Sequence, residues 1–258
     1  MNILTFDIET VPDVELGRRL LNAPAALDDA AVAEAMESRL TPREGGGGAF
    51  LPPHQHRVVA ISCALRSGES FKVWSLGEPD APEEDLVQRF FDGLERLGPT
   101  LVSWNGRGFD LPVLGYRALR HGVAAPRYWE QGDHDPGYRW NNYVSRFHWR
   151  HVDLMDVLGG YQGRGWARLD EVARLLGLPG KLGGSGESVW SWFLRGERER
   201  IRNYCELDVL NTYLIYLRFE VFRGRLAPAA LQQEHALVRE TLQASGKAHH
   251  AEFLAAWG

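Results

Sequence analysis

Cysteine is scarce in this sequence: two residues in 258, Cys63 and Cys205, with no CxxC spacing. That excludes a disulfide framework and a thiolate zinc site, and it suits a reducing compartment, so a cytoplasmic location is expected. Long apolar runs are also missing. No stretch approaches the roughly 20 residues needed to cross a bilayer, so no membrane partner is expected. The chain starts on a strand-like segment, without the basic, apolar and small-residue succession of a signal peptide. Nor is there an excess of positive charge: 29 Lys and Arg face 34 Asp and Glu, a formal net charge of −5. This excludes a protein that coats a polyanion through a broad basic face. It leaves room for an enzyme that grips one anionic end, because clustered carboxylates can leave the net charge negative while bound cations attract phosphate.

What is present is the composition of an ordinary globular chain, 44% hydrophobic and 24% charged, long enough for one large domain with a sizeable core. Residues 2–9 (NILTFDIE), 57–66 (RVVAISCALR) and 70–76 read as strands, with Ser67-Gly68-Glu69 closing the last two into a hairpin. Residues 82–97 form an amphipathic helix, opened by proline and acids and stopped by Gly98-Pro99. A short apolar strand at 100–104 and a helix over 109–121 ending at Gly122 follow. A last short strand is expected around His151-Val152-Asp153-Leu154, and helices at about 165–177, 187–195, 197–219 and 228–245. The expected fold class is α/β, a mixed sheet flanked by helices with a helical C-terminal part. Residues 41–56, with Gly45 to Gly48 and Pro52-Pro53, read as a flexible loop. Residues 179–188 (PGKLGGSGES) do not match GxxxxGK[ST] and read as an ordinary connector.

Four acids in three short motifs stand out: FDIET at 6–10, NGRGFD at 105–110 and YCELD at 204–208. Residues two apart on a strand share a face, so Asp7 and Glu9 project together while Phe6 and Ile8 point to the other side. Two carboxylates this close repel unless a cation or a proton sits between them. Hard oxygen donors without His or Cys suit magnesium or manganese. The bland alternative is a solvated pair at a strand end. Asp110 follows a loop whose glycines allow close approach to a ligand, at a strand end where ligands gather in open sheets. It reads equally as a helix cap. Asn105 reads either as a turn residue or as a donor to phosphate or sugar. Tyr204 and Asp208 are four apart on a helix and share a face; an aromatic at that spacing is also ordinary core. Leu207, Leu210, Leu214 and Leu217 make a buried stripe, and Glu206 is expected to be solvated.

His151, Asp153 and Asp156 form a further polar set, with Asp153 either lining a site floor or capping the next helix. His54, His56, His249 and His250 lack metal spacing and are expected at the surface or in loops. Residues 138–151 interleave Tyr138, Trp140, Tyr143, Phe147 and Trp149 with Arg139, Arg146 and Arg150. Arginines bind phosphates and aromatic faces stack on bases, so this segment is a candidate strand-binding wall. A loop packed on the core by its aromatics is the alternative. The segment RGERERIR at 195–202 balances its charges and reads as a solvated helix face.

In this order, FDIET, NGxxFD and YxxxD resemble the motifs of DEDD-type 3′–5′ exonucleases, which have a ribonuclease-H-like fold. The histidine variant of that family carries His five residues before the last Asp. Asn203 stands there, so the chain resembles the tyrosine variant. It is similar in particular to stand-alone bacterial exonucleases related to the proofreading domain of B-family DNA polymerases, through HRVVAISCAL, HVDLMDVL and YCELDVLNTYLIYLRF. The resemblance covers most of residues 1–219. It implies an exonuclease domain over 1–225, followed by a helical extension over 226–258. Asp7, Glu9, Asp110 and Asp208 would then hold two divalent metal ions, Mg2+ or Mn2+, with Asp7 bridging both. One ion would activate water and the other stabilise the leaving 3′ oxygen. Tyr204 would orient the water as a hydrogen-bond partner, since a tyrosine pKa near ~10 makes it a poor base at neutral pH. Thr10 and Val11 would lie beside the terminal nucleotide. Asn105, Phe109, Asp153, Arg139 and Arg146 complete the expected substrate contacts.

The implied substrate is a nucleic acid 3′ end, with single-stranded DNA favoured over RNA. The same carboxylates would serve a 3′-trimming ribonuclease, because the metals act on the phosphate and sugar choice is made at the 2′ position. A non-catalytic binding module on a nuclease fold would be expected to have lost an acid, and all four are present.

Overall fold

The computed structural model describes residues 2–40 and 50–258. Gly45 to Gly48, part of the expected flexible loop, lie outside the described residues. Of that stretch only residues 50–56 are described, and they are packed: Leu51 and His56 are buried, and Pro53–Gln55 makes a 3-10 turn.

The chain forms β1 (Asn2–Pro12), α1 (Val14–Leu21), α2 (Asp29–Ser38), β2 (His56–Ser67), β3 (Ser70–Ser75), α3 (Glu83–Leu97), β4 (Thr100–Ser103) and α4 (Asp110–His121). It continues with α5 (Pro126–Trp129), β5 (His151–Asp153), α6 (Leu154–Leu158), α7 (Leu169–Leu175) and α8 (Ser188–Leu194). Three helices close it: α9 (Arg198–Phe222), α10 (Pro228–Ser245) and α11 (Ala248–Trp257). One sheet has the order β3-β2-β1-β4-β5. β1 pairs antiparallel with β2 and parallel with β4, and β4 pairs parallel with β5. This is the mixed sheet, flanked by helices, that the sequence predicts.

Each element has a local cause. The β2–β3 hairpin turns at Gly68, whose φ of 56° is open to glycine. α3 begins after Pro82 with Glu83, Glu84 and Asp85 in its first turn, and ends at Gly98 in the left-handed region. The α1 and α2 helices fall in a region for which the sequence reading gave no element. Aspartates cap both: Asp13 accepts from the Leu16 amide and Asp28 from the Ala31 amide.

The sheet separates two apolar layers. Phe6 and Ile8 pack with Phe90, Phe91, Leu94, Val113 and Leu114 from α3 and α4 on one face. On the other, Val102 and Val152 pack with Leu207, Leu210, Leu214 and Leu217 of α9. α10 and α11 add Leu231, Val238, Leu242, Phe253 and Trp257 to the same cluster, so residues 226–258 share a core with α9. Covered on several sides, α9 is buried around most of its circumference through its middle and has no single apolar stripe. A buried Arg117 bridges Asp13, at 2.6 Å, and Glu83, joining the cap of α1 to α3 and α4. No described helix is long and apolar enough to cross a membrane.

Candidate active site

The central strand, the strand-end loop and the long helix bring the motif acids together. Asp7 and Glu9 project from β1 toward α9. The β1–β2 register shifts between Glu9 and Thr10, a bulge that re-aims the side chains beyond it. Asp110 opens α4 and accepts from the Ile8 amide at 3.2 Å, so its position is fixed to the strand that carries Asp7 and Glu9. Asp208 faces the same group from α9. Glu9, Asp110 and Asp208 are each less than a tenth exposed.

Four carboxylates in so small and dry a volume are uncomfortable. Burial raises the pKa of Asp7, and Asp110 and Asp208 raise it further. Burial and then Asp7 and Asp208 do the same to Glu9. Burial pushes Asp110 up to about 7, and it raises Asp208 as well. Asp208 Oδ1 is buried with no hydrogen-bond partner. Such an oxygen is costly to leave unmatched. The donor set therefore fits hard divalent cations: oxygen ligands, an excess of negative charge and an unsatisfied buried oxygen. Ligand atoms of Asp7 and Glu9 lie within 4.8 Å of one another and of Cys205 Sγ. Cys205 itself is not a thiolate ligand. Burial, with Asp7 and Glu9 beside it, raises its pKa well above the usual thiol value, and the thiol donates to Asp7 O at 3.4 Å.

One cation is already at the cluster. Lys181 Nζ lies 3.1 Å from Asp208 Oδ2 and bonds the Tyr204 hydroxyl. Although burial opposes its charge, Asp208, Glu9 and Asp7 together raise its pKa. This corrects the reading of 179–188 as an ordinary connector. Gly180 exchanges two hydrogen bonds with the Asn211 amide of α9, at 3.1 and 2.9 Å, and the Lys181 amide donates to Asp170. Gly180 has φ +69°, and a Cβ there would sit 2.4 Å from Asp170 Oδ1. The loop is anchored so that its one lysine enters the acids. The Pro-Gly-Lys run held part of the signal, but the anchor, Asn211, is distant in sequence.

Tyr204 is buried edge-on against Trp192, with ring centroids 5.7 Å apart. Burial and the negative charges of Asp208, Glu9 and Asp7 hold its hydroxyl protonated far above neutral pH. Val11, expected beside the substrate, has its side chain buried with Val189, Trp192 and Tyr204, where it supports the tyrosine. Thr10 Oγ1 meets His56 Nδ1 at 2.9 Å, and His56 Nε2 meets Leu51 O. His56 is thus a buried partner of the strand end, in contrast to the surface position expected. Phe109 is partly buried between Asp110 and the His56 ring, which it meets at right angles 4.9 Å away.

The loop 105–108 is held from below by Asp153. Its carboxylate accepts from the amides of Asn105 and Arg107, both at 2.9 Å, and from the Asp156 amide as cap of α6. Asp153 therefore positions the loop that leads to Asp110, and its oxygens are engaged there rather than on a substrate. Asn105 takes φ 63° in the turn. Arg107 donates to the carbonyls of Tyr143, Val144 and Ser145 and meets His151, whose pKa is lowered to about 3 by burial and by that guanidinium.

The candidate wall at 138–151 is partly engaged by the fold, while its Trp140, Phe147 and Trp149 rings are exposed. Arg146 forms a bidentate pair with Asp156, at 2.6 and 2.9 Å, and Arg150 lies over the buried Tyr138 ring at 4.0 Å. Tyr143 is fully buried. Their packing satisfies Arg146 and Arg150 within the fold; Arg139 is exposed.

Glu206 corrects another expectation. It is buried, and its carboxylate accepts from Lys247 at 2.9 Å and Ser75 at 3.0 Å, beside His249 and His250 at 2.9 and 3.1 Å. Glu206, His249 and His250 form a second group of possible ligands, in which Lys247 already balances the carboxylate charge. His250 is fully buried, and neither histidine is the free surface group expected.

The profile of a family described as predicted 3′–5′ exonucleases related to the exonuclease domain of PolB matches residues 48–257. A DNA polymerase from Archaeoglobus fulgidus is 25% identical over 171 residues, which are 63% of this chain and 20% of the polymerase. The chain spans about one fifth of the length of that relative. Asp7 and Glu9 precede the span matched by the family profile, and it is the sheet that sets them against Asp110 and Asp208. The chain belongs to this family of predicted 3′–5′ exonucleases related to the exonuclease domain of PolB.

Proposed function

We propose that the protein removes nucleotides from the 3′ end of single-stranded DNA, using two Mg2+ or Mn2+ ions held by Asp7, Glu9, Asp110 and Asp208. The observation that carries this reading is the convergence of four carboxylates, three of them buried and one of those with an unpartnered oxygen, beside the central strand. Bound divalent ions would supply Lewis acidity toward water and the leaving oxygen. The chain's own residues do the positioning. Tyr204, protonated, orients the attacking water by hydrogen bonding. Lys181 holds the Tyr204 hydroxyl and Asp208 in register. Thr10 and Phe109 would flank the terminal nucleotide, and Asn105 would reach its phosphate or sugar. DNA is favoured because the matched relative is a DNA polymerase. The two buried free cysteines suit a cytoplasmic location.

The test is cleavage of end-labelled single strands of matched DNA and RNA, with each metal and with chelator. The expected result is a ladder shortened from the 3′ end, dependent on metal and faster on DNA. Absence of cleavage with either metal would sink the hydrolytic reading. Faster trimming of RNA would move the substrate to RNA.

A further inference from the structure

Exposed aromatic rings lead away from the acids along α4. Phe50 is 51% exposed and Tyr116 is 49% exposed, so neither ring is consumed by the core. The Phe50 ring meets Phe109 edge-on with centroids 5.2 Å apart, and lies 5.0 Å from His56. Phe109 directly precedes Asp110, and His56 binds the hydroxyl of Thr10, which directly follows Glu9. The Phe50 surface is therefore continuous with the catalytic acids. Tyr116 lies within α4, six residues and roughly 9 Å along the helix axis beyond its first residue, Asp110. His54 closes on Tyr116 edge-on at 5.6 Å. Residues 50–56 thus lie beside α4, and their rings pair with those of the helix.

Half-exposed rings repeated along a path from a phosphodiesterase centre match a polymer that offers a π-face at every unit. Paired bases stack within their duplex and do not offer those faces. The exposed cations that would make an alternative path are reduced in the 138–151 segment, where Arg146 and Arg150 are engaged internally.

We propose that Phe50 and Tyr116 are successive base-stacking platforms for a single strand whose 3′ end lies at the acids. Phe50, beside Phe109, takes a base near the end, and Tyr116, beside His54, takes one further back. This rests on the exonuclease reading of the site. It adds the reason for single-strand selection and places it in residues outside the three acid motifs, where sequence alone gave no signal.

The test separates binding from cleavage. Binding is read by fluorescence anisotropy with Mg2+ in the Asp7→Asn background, using labelled single-stranded DNA of three and of ten nucleotides. Phe50→Ala should weaken binding of both lengths about tenfold, the scale of one lost base stack. Tyr116→Ala should weaken the ten-nucleotide strand similarly and leave the trinucleotide unchanged. Phe50→Trp should retain binding, which separates a lost ring from a damaged fold. Unchanged binding of the ten-nucleotide strand by both alanine variants overturns the track, and so does an equal loss for Tyr116→Ala at the two lengths. Cleavage by the unsubstituted protein is scored separately. If it fails while Phe50-dependent binding persists, the hydrolytic reading falls and the track stands. If it succeeds while binding ignores both rings, the track alone falls.

Discussion

Asp208 and Glu206 sit two residues apart on α9, equally buried, and live in opposite electrostatic worlds. Glu206 faces Lys247, His249, His250 and Ser75; although burial raises its pKa, those bonds bring it far below the ordinary carboxylate range. Asp208 faces Asp7 and Glu9, with Lys181 and the Tyr204 hydroxyl as its favourable partners; it retains an unpartnered oxygen, and burial raises its pKa. Burial alone does not tell a structural carboxylate from a reactive one. The partners do: Glu206 is matched and fastens α11 to α9, whereas Asp208 is part of a charge excess that further cations or protons relieve.

The largest expected effect probes the reactive side. Asp208→Ala should lower nuclease turnover at least about a thousandfold, since a metal ligand is lost, while thermal melting shows little change. The structural side should behave oppositely. Glu206→Ala should lower Tm by about 5–10 °C, through roughly 3 kcal/mol of lost ion-pair and hydrogen-bond stabilisation, with turnover at permissive temperature largely kept. If Asp208→Ala melted as early as Glu206→Ala, or if Glu206→Ala lost activity while melting normally, the contrast would be wrong.

Tyr204→Phe sharpens the reactive side. It keeps the ring packed on Trp192 and removes only the hydroxyl, so kcat should fall about 10–100-fold, with metal binding measured by calorimetry unchanged. Unchanged turnover would remove the role of the hydroxyl.

The smallest effect is a pH slope. Asp110 is held protonated up to about pH 7 in the fold, against an ordinary value of 3.8. Between those values the folded protein binds more protons than the unfolded chain, so stability falls as pH rises. Urea melts in chelator should show this decline from about pH 4 to 7, and Asp110→Asn should flatten it. A slope of the same size in the variant would assign it to other groups. Glu206 has the opposite sign: its stabilisation is present above the ordinary glutamate value and is lost as pH falls through its lowered folded value.

Much of this was legible from local pattern. The alternation in β1 put Asp7 and Glu9 on one face, and the hairpin, α3 and α9 followed from turn residues, caps and apolar spacing. The α1 helix (VELGRRLL) is short, and α2 lies in an alanine-rich stretch with little apolar contrast, although Asp13 and Asp28 are readable caps for both. Lys181, Glu206 and Phe50 were not legible, because their meaning lies in partners far along the chain: Asn211 and Asp208, residues 247–250, and Phe109.

The sequence by itself determined which of the motif side chains share a face, because residues two apart on a strand and four apart on a helix do so whatever surrounds them. Only the tertiary structure decided their charge states and neighbours. Desolvation and Coulomb interactions depend on distance in space, so of two acids on the same helix Asp208 is left within an excess of negative charge and Glu206 is a matched fastening.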